Sequence, residues 1–317
     1  MKKHSLQQRL LTKKAATQNT GKAPRMAMAD EHVLKDMNKY VGAARKDVTT
    51  ESSILVSSSR YLNNPTIRAA LPNFMLRKNG QDIRTEADHT LGLYAGFEEV
   101  RDHARIEELL TRERKINPEL DHWLGEQFLS SWTNESFAKY PVGSIGGIMY
   151  RQIRDFGFDI TLGRNSASKQ PETQYEYALI RGGQIHDFEH ILLGSSFDSI
   201  GEIIPLFAGL ANRCKHFSPE VSHIFNEYQI FSATRIFARS GLHYPETFAA
   251  SLESVECGIR VGQASDCYMF ARYEHLLGLT PVEVRKELGI REVVEFHTTE
   301  EGLLFQEDAP PPAQAAD

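Results

Sequence analysis

The sequence predicts an all-α fold built as a single compact helical domain. Three observations carry that expectation. Apolar residues recur at three- and four-residue spacing through most of residues 61–297. Strict two-residue alternation is nearly absent, with the neighbourhoods of Ile54 and Phe74 the places where a short strand or hairpin would fit. The composition is that of an ordinary globular chain, 41% hydrophobic and 25% charged, which excludes wholesale disorder.

The elements follow in chain order. Residues 1–60 are polar and weakly periodic, and read as a mobile arm. Phe97–Lys115 is dense in good helix formers, with Val100, Ala104, Ile106, Leu109 and Leu110 along one stripe. Asn117-Pro118 restarts a helix, Asn as the cap and Pro at the first helical position, followed by Leu120, Trp123, Leu124 and Phe128. Pro141-Val142-Gly143-Ser144 opens another, carrying Ile145, Ile148, Met149 and Ile153. Further helices are expected over Tyr175–Leu193, Ile200–Arg213, Pro219–Phe237, Tyr244–Val261 and Pro281–Leu288. Residues 298–317 end in an acidic, Pro-rich tail that offers little apolar surface to bury and reads as disordered.

Charge and cysteine usage narrow the function classes. The first 29 residues hold seven Lys and Arg and no acid, whereas all 42 Asp and Glu lie beyond them. An acidic body is a poor partner for phosphate, so no nucleic-acid role is expected. No stretch approaches the ~20 apolar residues of a membrane-spanning helix, and no apolar signal-peptide core is evident. Three cysteines without a CxxC pair (Cys214, Cys257 and Cys267) argue against a disulfide framework or a cysteine-rich zinc site, and point to a reducing compartment. Apolar residues between 203 and 237, such as Ile203, Ile204, Leu206, Phe207, Ile224, Phe225, Ile230 and Phe231, suggest a surface for reversible membrane binding, or equally core or a homodimer interface.

One segment stands apart: Gly182-Gly183-Gln184-Ile185-His186-Asp187-Phe188-Glu189-His190. His186 and His190 are four residues apart, one turn above each other on one helix face, so both imidazoles can reach one metal ion. Gly194 suits the left-handed residue that ends a helix, and Asp198 or Ser199 suits the cap of the next. Glu202 then falls in the first turn of the second helix. His190 and Glu202 are equally far from the turn between the helices, which predicts Glu202 facing the histidine pair. With Asp187 at the edge of the same face, His186, Asp187, His190 and Glu202 form a mixed nitrogen and oxygen ligand set on a helical hairpin. Such a set suits Zn²⁺ first, with Fe²⁺ or Mn²⁺ as alternatives. Chance pairing of the histidines, and Glu202 as a mere complement to its helix terminus, are the bland readings. A zincin would place Glu, not Asp187, directly after the first His.

The pattern His186-Asp187-x-x-His190, then eleven residues, then Glu202, resembles the signature of the ubiquinone (coenzyme Q) biosynthesis protein Coq-four family. Leu192-Leu193-Gly194, Gly201-Glu202, the segment Gly143-Ser144-Ile145-Gly146 with Tyr150, Tyr273-Glu274, and Val284 to Ile290 are similar to that family's blocks and stand in its order. Leu277 departs from it, as does the stretch between Glu202 and Tyr273. The resemblance implies a metal-dependent enzyme of ubiquinone biosynthesis that oxidatively decarboxylates a polyprenylated hydroxybenzoate head, replacing carboxylate by hydroxyl, with Asp187 or Glu189 moving a proton. It further implies polyprenylated aromatic lipid and other ubiquinone-biosynthesis proteins as partners, and a homo-oligomer. The expected place is peripheral on the cytoplasmic face of a bacterial inner membrane, or on the matrix face of the mitochondrial inner membrane. The alternatives are a non-catalytic prenyl-lipid scaffold with a structural metal, and an unrelated metallohydrolase.

Overall fold

The structure is a computed structural model, and it describes residues 57–78, 83–157 and 170–306. The chain divides into two units, and all described residues belong to the second, Val56–Asp317. Among the described residues are thirteen α-helices and no strand, only one isolated bridge between Ser195 and Phe296. The helices are α1 (Arg60–Asn63), α2 (Pro65–Leu76), α3 (Ile83–Val100), α4 (His103–Arg114), α5 (Pro118–Glu126), α6 (Ile145–Phe156) and α7 (Gln174–Leu193). They continue with α8 (Ile203–His216), α9 (Pro219–Asn226), α10 (Gln229–His243), α11 (Phe248–Ala264), α12 (Pro281–Glu287) and α13 (Thr299–Gln306).

Capping chemistry places many of the starts. Asn117 accepts from the Leu120 amide with Pro118 at the first position, and Ser144 accepts from the Gly147 amide. Thr173 does the same for α7, whose Gly194 ends it at φ 72°. Tyr177, Arg181, Ile185, Phe188, His190 and Leu192 are all buried, so α7 is covered on several sides and acts as the central helix. Its C-terminal half packs with α6, α8 and α11 around Met149, Phe188, Leu192, Ile204 and Val261. The α8–α11 contact is the tightest because α11 presents Gly258 and Gly262. A Cβ there would meet the Ile204 and Ala208 carbonyl oxygens at 2.7 and 2.3 Å.

Several boundaries depart from the sequence reading. Phe97–Lys115 is broken at Arg101-Asp102, where Asp102 caps α4 through the Arg105 amide. Pro219–Phe237 is two helices, α9 and α10. The buried Glu227 between them ties back to Arg101 at 2.9 Å and Arg60 at 3.1 Å. Tyr244–Val261 starts with a 3₁₀ turn, Pro245–Thr247. The strand considered near Phe74 is instead helix α2, whose Ile67, Ala70 and Phe74 are buried at helical spacing; Ile54 lies outside the described residues. Ile203, Ile204, Leu206, Ile224 and Phe225 are core, because α8 is the hub that α11 and α10 cover, so for these five the core alternative holds and the membrane surface does not. Ile230 of that run is exposed, and further apolar exposure lies on one face of α11, with Phe248, Leu252 and Ile259. No described helix is long and apolar enough to cross a membrane.

Residues 1–56 of the expected arm and 307–317 of the expected tail lie outside the described residues. Where the sequence expects the tail to begin, α13 forms instead, and Gly302 lies against Asp198. The segment before it fastens the α7–α8 hairpin. The Phe296 amide donates to the Gly194 carbonyl at 2.8 Å, and Arg285 donates to the Leu192 and Ile191 carbonyls at 2.7 and 3.1 Å, satisfying groups that the end of α7 leaves open.

Candidate metal centre

The hairpin between α7 and α8 builds the site. Ser195–Glu202 is not yet α-helix: Asp198 accepts from the Ile200 and Gly201 amides at 3.0 and 2.9 Å and so caps a single turn. The Glu202 amide donates to the Asp198 carbonyl at 3.0 Å, and α8 starts one residue later. Thr298, fully buried, donates its hydroxyl to Asp198 at 2.8 Å and locks this turn from the C-terminal segment. Glu202 therefore sits just before the helix and not within its first turn, yet it faces the histidines as the spacing predicts.

Its carboxylate bridges them. Oε2 lies 3.0 Å from His186 Nε2 and Oε1 lies 3.3 Å from His190 Nε2. One ligand atom from each of His186, His190 and Glu202 lies within 4.8 Å of the other two. Ligands bonded at about 2.0–2.1 Å to a tetrahedral ion are about 3.3 Å apart, so these separations fit a shared cation. The back of each ring is held as well. His190 Nδ1 is 2.9 Å from the Ser196 carbonyl oxygen and 3.1 Å from Ser195 Oγ, and the ring stacks on Phe197 at 4.9 Å. A carbonyl can only accept, so Nδ1 carries the proton and Nε2 turns its lone pair toward Glu202. His186 Nδ1 is backed by Glu189 at 3.7 Å.

Two imidazole nitrogens and a carboxylate pointed at one another need a positive charge between them. Burial opposes the imidazolium of His186, but the charges of Glu202 and Glu189 outweigh it and raise its pKa well above the ordinary value. Burial opposes the carboxylate of Glu202 too, and His190 and His186 nevertheless hold it well below the usual range. A divalent cation satisfies the same lone pairs, so the residues present fit a metal.

Asp187 is not among the three groups whose ligand atoms converge. It lies within electrostatic range of both histidines, and burial raises its carboxyl pKa. The residues that sequence reasoning missed are Ser195, Ser196, Phe197 and Thr298. Ser196 acts through its backbone carbonyl, which leaves no side-chain signal, and Thr298 arrives from about a hundred residues away.

No family model matches the chain, and no curated protein matches it. A crystal structure from Nostoc punctiforme PCC 73102, of a protein provisionally named a ubiquinone biosynthesis protein, is similar in fold, with a TM-score of 0.51 and 19% sequence identity. The similarity covers 72% of this chain and 98% of that one. At that identity the shared property is the all-α fold.

Proposed function

We propose that this chain is a metal-dependent protein of ubiquinone biosynthesis, acting on the head group of a polyprenylated hydroxybenzoate. The observation that carries the reading is the convergence of His186, His190 and Glu202, with Nδ1 of each imidazole backed from behind. The motif resemblance and the fold shared with the Nostoc protein supply the pathway. Two histidines and one carboxylate leave coordination positions open, which favours catalysis over a closed structural site. Bound there, Zn²⁺, Fe²⁺ or Mn²⁺ would polarise a substrate oxygen and template the ring. Exchange of carboxylate for hydroxyl is a two-electron oxidation that releases carbon dioxide, so it needs an external oxidant such as dioxygen.

The chain's own residues divide the remaining work. Glu202, kept anionic, serves as a permanent ligand. Glu189 and the Ser196 carbonyl fix the two ring orientations. Asp187, beside the pair without converging on it, takes or gives a proton at the reacting ring in this proposal. The exposed apolar face of Phe248, Leu252 and Ile259 is the reading's membrane contact. The test is elemental analysis of the purified full chain beside turnover of a prenylated 4-hydroxybenzoate. About one divalent ion per chain, lost in a His186, His190 and Glu202 triple alanine variant, is the expected result. Full metal occupancy in that variant sinks the site, and bound metal without turnover leaves the lipid scaffold as the better reading.

A further inference from the structure

The loop Ser195–Asp198 stands between the metal centre and the C-terminal segment, and it touches both. Toward the site, the Ser196 carbonyl accepts from His190 Nδ1, and Phe197 stacks on the His190 ring. Asp198 caps the turn that ends in Glu202. Toward the C-terminal segment, Ser196 Oγ accepts from the Thr298 amide at 3.2 Å. Both carboxylate oxygens of Asp198 accept from the Thr298 hydroxyl, at 2.8 and 3.0 Å. Ser195 bridges to Phe296, whose amide donates to the Gly194 carbonyl. One turn beyond Thr298, Gly302 of α13 lies directly on Asp198: a Cβ there would meet Asp198 Cβ and Cγ at 2.7 Å. The loop also borders a cavity of about 680 Å³, lined by Ile148 and Phe156 of α6, Pro281 of α12 and Leu303 of α13, together with His190 and Phe197. Packed side chains do not back the loop on that side, which leaves the C-terminal segment to fix its place.

We propose that Thr298 and Gly302 are positioning residues of the metal centre: through Ser196 and Asp198 they set the His190 ring and the Glu202 carboxylate for one cation. This rests on the proposed function for the presence of a metal, and it adds that the C-terminal segment sets the affinity for it. Ligands must be held to within about 0.5 Å of their working geometry, which requires that their supports be fixed in turn. The Ser196 carbonyl sets the ring plane of His190, so a shift of the loop turns the Nε2 lone pair away from Glu202. The Thr298 hydroxyl is buried, and removing it leaves Asp198 short of a donor. Gly302 leaves no slack, because any side chain there displaces Asp198 or α13. Glycine is a poor residue for a helix interior, and this close approach accounts for it.

The test is titration of the metal-free full chain with Co²⁺, whose visible absorption reports ligand geometry. Thr298→Val should weaken the Co²⁺ Kd about 10-fold and alter the spectrum, whereas Thr298→Ser, which keeps the hydroxyl, should stay within about twofold of the wild type. Gly302→Ala should weaken binding to a similar degree, although alanine is the better helix former. Asn117→Ala removes a helix cap outside the site; it should lower the melting temperature and leave the Kd within about twofold. Wild-type Kd and spectrum in both Thr298→Val and Gly302→Ala overturn the proposal. So does an equal loss of affinity in Asn117→Ala, which would make the effect one of general stability. A second readout needs no metal: the nuclear magnetic resonance of the His190 Nδ1 proton should move in Thr298→Val and Gly302→Ala and hold still in Thr298→Ser. Failure of the wild type to bind Co²⁺ defeats the proposed function instead. The positioning is then decided by that proton, and an unmoved resonance overturns it.

Discussion

Helix α7 carries two charged clusters less than two turns apart, and they are built to opposite plans. Arg181 is 1% exposed and lies against Glu274, with contacts of 2.8 and 3.0 Å to its two oxygens. Ser130 and the Ala271 carbonyl take further guanidinium hydrogens at 2.8 and 3.2 Å, and Ser130 also donates to Glu274. Donors meet acceptors and the charges cancel within the protein. Around His186, His190 and Glu202 the opposite holds: acceptors face acceptors, and only a proton or a metal ion completes the group. Burial and charge therefore do not by themselves mark a functional site. An unbalanced set of donors and acceptors does.

The largest effect should come from breaking the closed cluster. Arg181→Met leaves Glu274 without its counter-ion, and denaturant unfolding should show a loss of about 3–5 kcal/mol. A loss below about 1 kcal/mol would make the two clusters alike. The next effect concerns the open one. With free metal at 100-fold its Kd, the wild type should gain about 2.7 kcal/mol of stability over its chelated form. His190→Ala should gain nothing under the same conditions, and an undiminished gain would remove the contrast.

The pH response separates the clusters further. In the metal-free protein His186 is raised above 6.5 and Glu202 is lowered below 4.5. The His186 contribution is complete below pH 6.5 and is lost as pH rises through its folded value. The Glu202 contribution is complete above pH 4.5 and is lost as pH falls through its folded value. Their joint stabilisation is therefore greatest between those limits and declines on the alkaline side. Metal affinity should move oppositely and rise with pH, because the ligands must shed their protons. Glu274 is also lowered, so its stabilisation should stay flat above pH 4.5. Thermal melts with chelator across pH 5–9, beside metal titrations, test both slopes; parallel slopes would contradict the assignment. The smallest structural effect belongs to Asp187→Asn, which should leave metal content within about twofold of the wild type while cutting turnover at least tenfold. Loss of metal as complete as in His190→Ala would make Asp187 a ligand instead.

Much of this was legible before any coordinates. The i,i+4 spacing of His186 and His190 places both rings on one face of any helix, and Gly194 with Asp198 announces where the chain turns, so the triad is a local matter. The Asn117 and Ser144 caps were readable for the same reason. The break between Glu227 and Gln229 was not, because no Gly or Pro marks it. Its buried acid is held by Arg101 and Arg60, more than a hundred residues away in sequence. The apolar run in α8 left core and outer surface equally open, since apolar character alone does not say whether a neighbouring helix or something outside the chain will cover it; Gly258 and Gly262 of α11 decide that it is core.

The sequence by itself determined the helical class, the hairpin, and a set of four candidate ligands (His186, Asp187, His190 and Glu202), because each depends on a periodicity or turn within about twenty residues; which three converge was decided by the fold. Tertiary structure alone decided how those residues are held and what lies beside them. The Thr298 hydroxyl that locks the turn arrives from a distant segment, the Ser196 backbone carbonyl that orients His190 carries no side-chain signal, and the unpaired hydroxyls of Tyr268 and Tyr273 lie in a core assembled from several helices. The physical reason is that a hydrogen bond, or its absence, belongs to a pair of groups, and a sequence names the groups without saying which of them will meet.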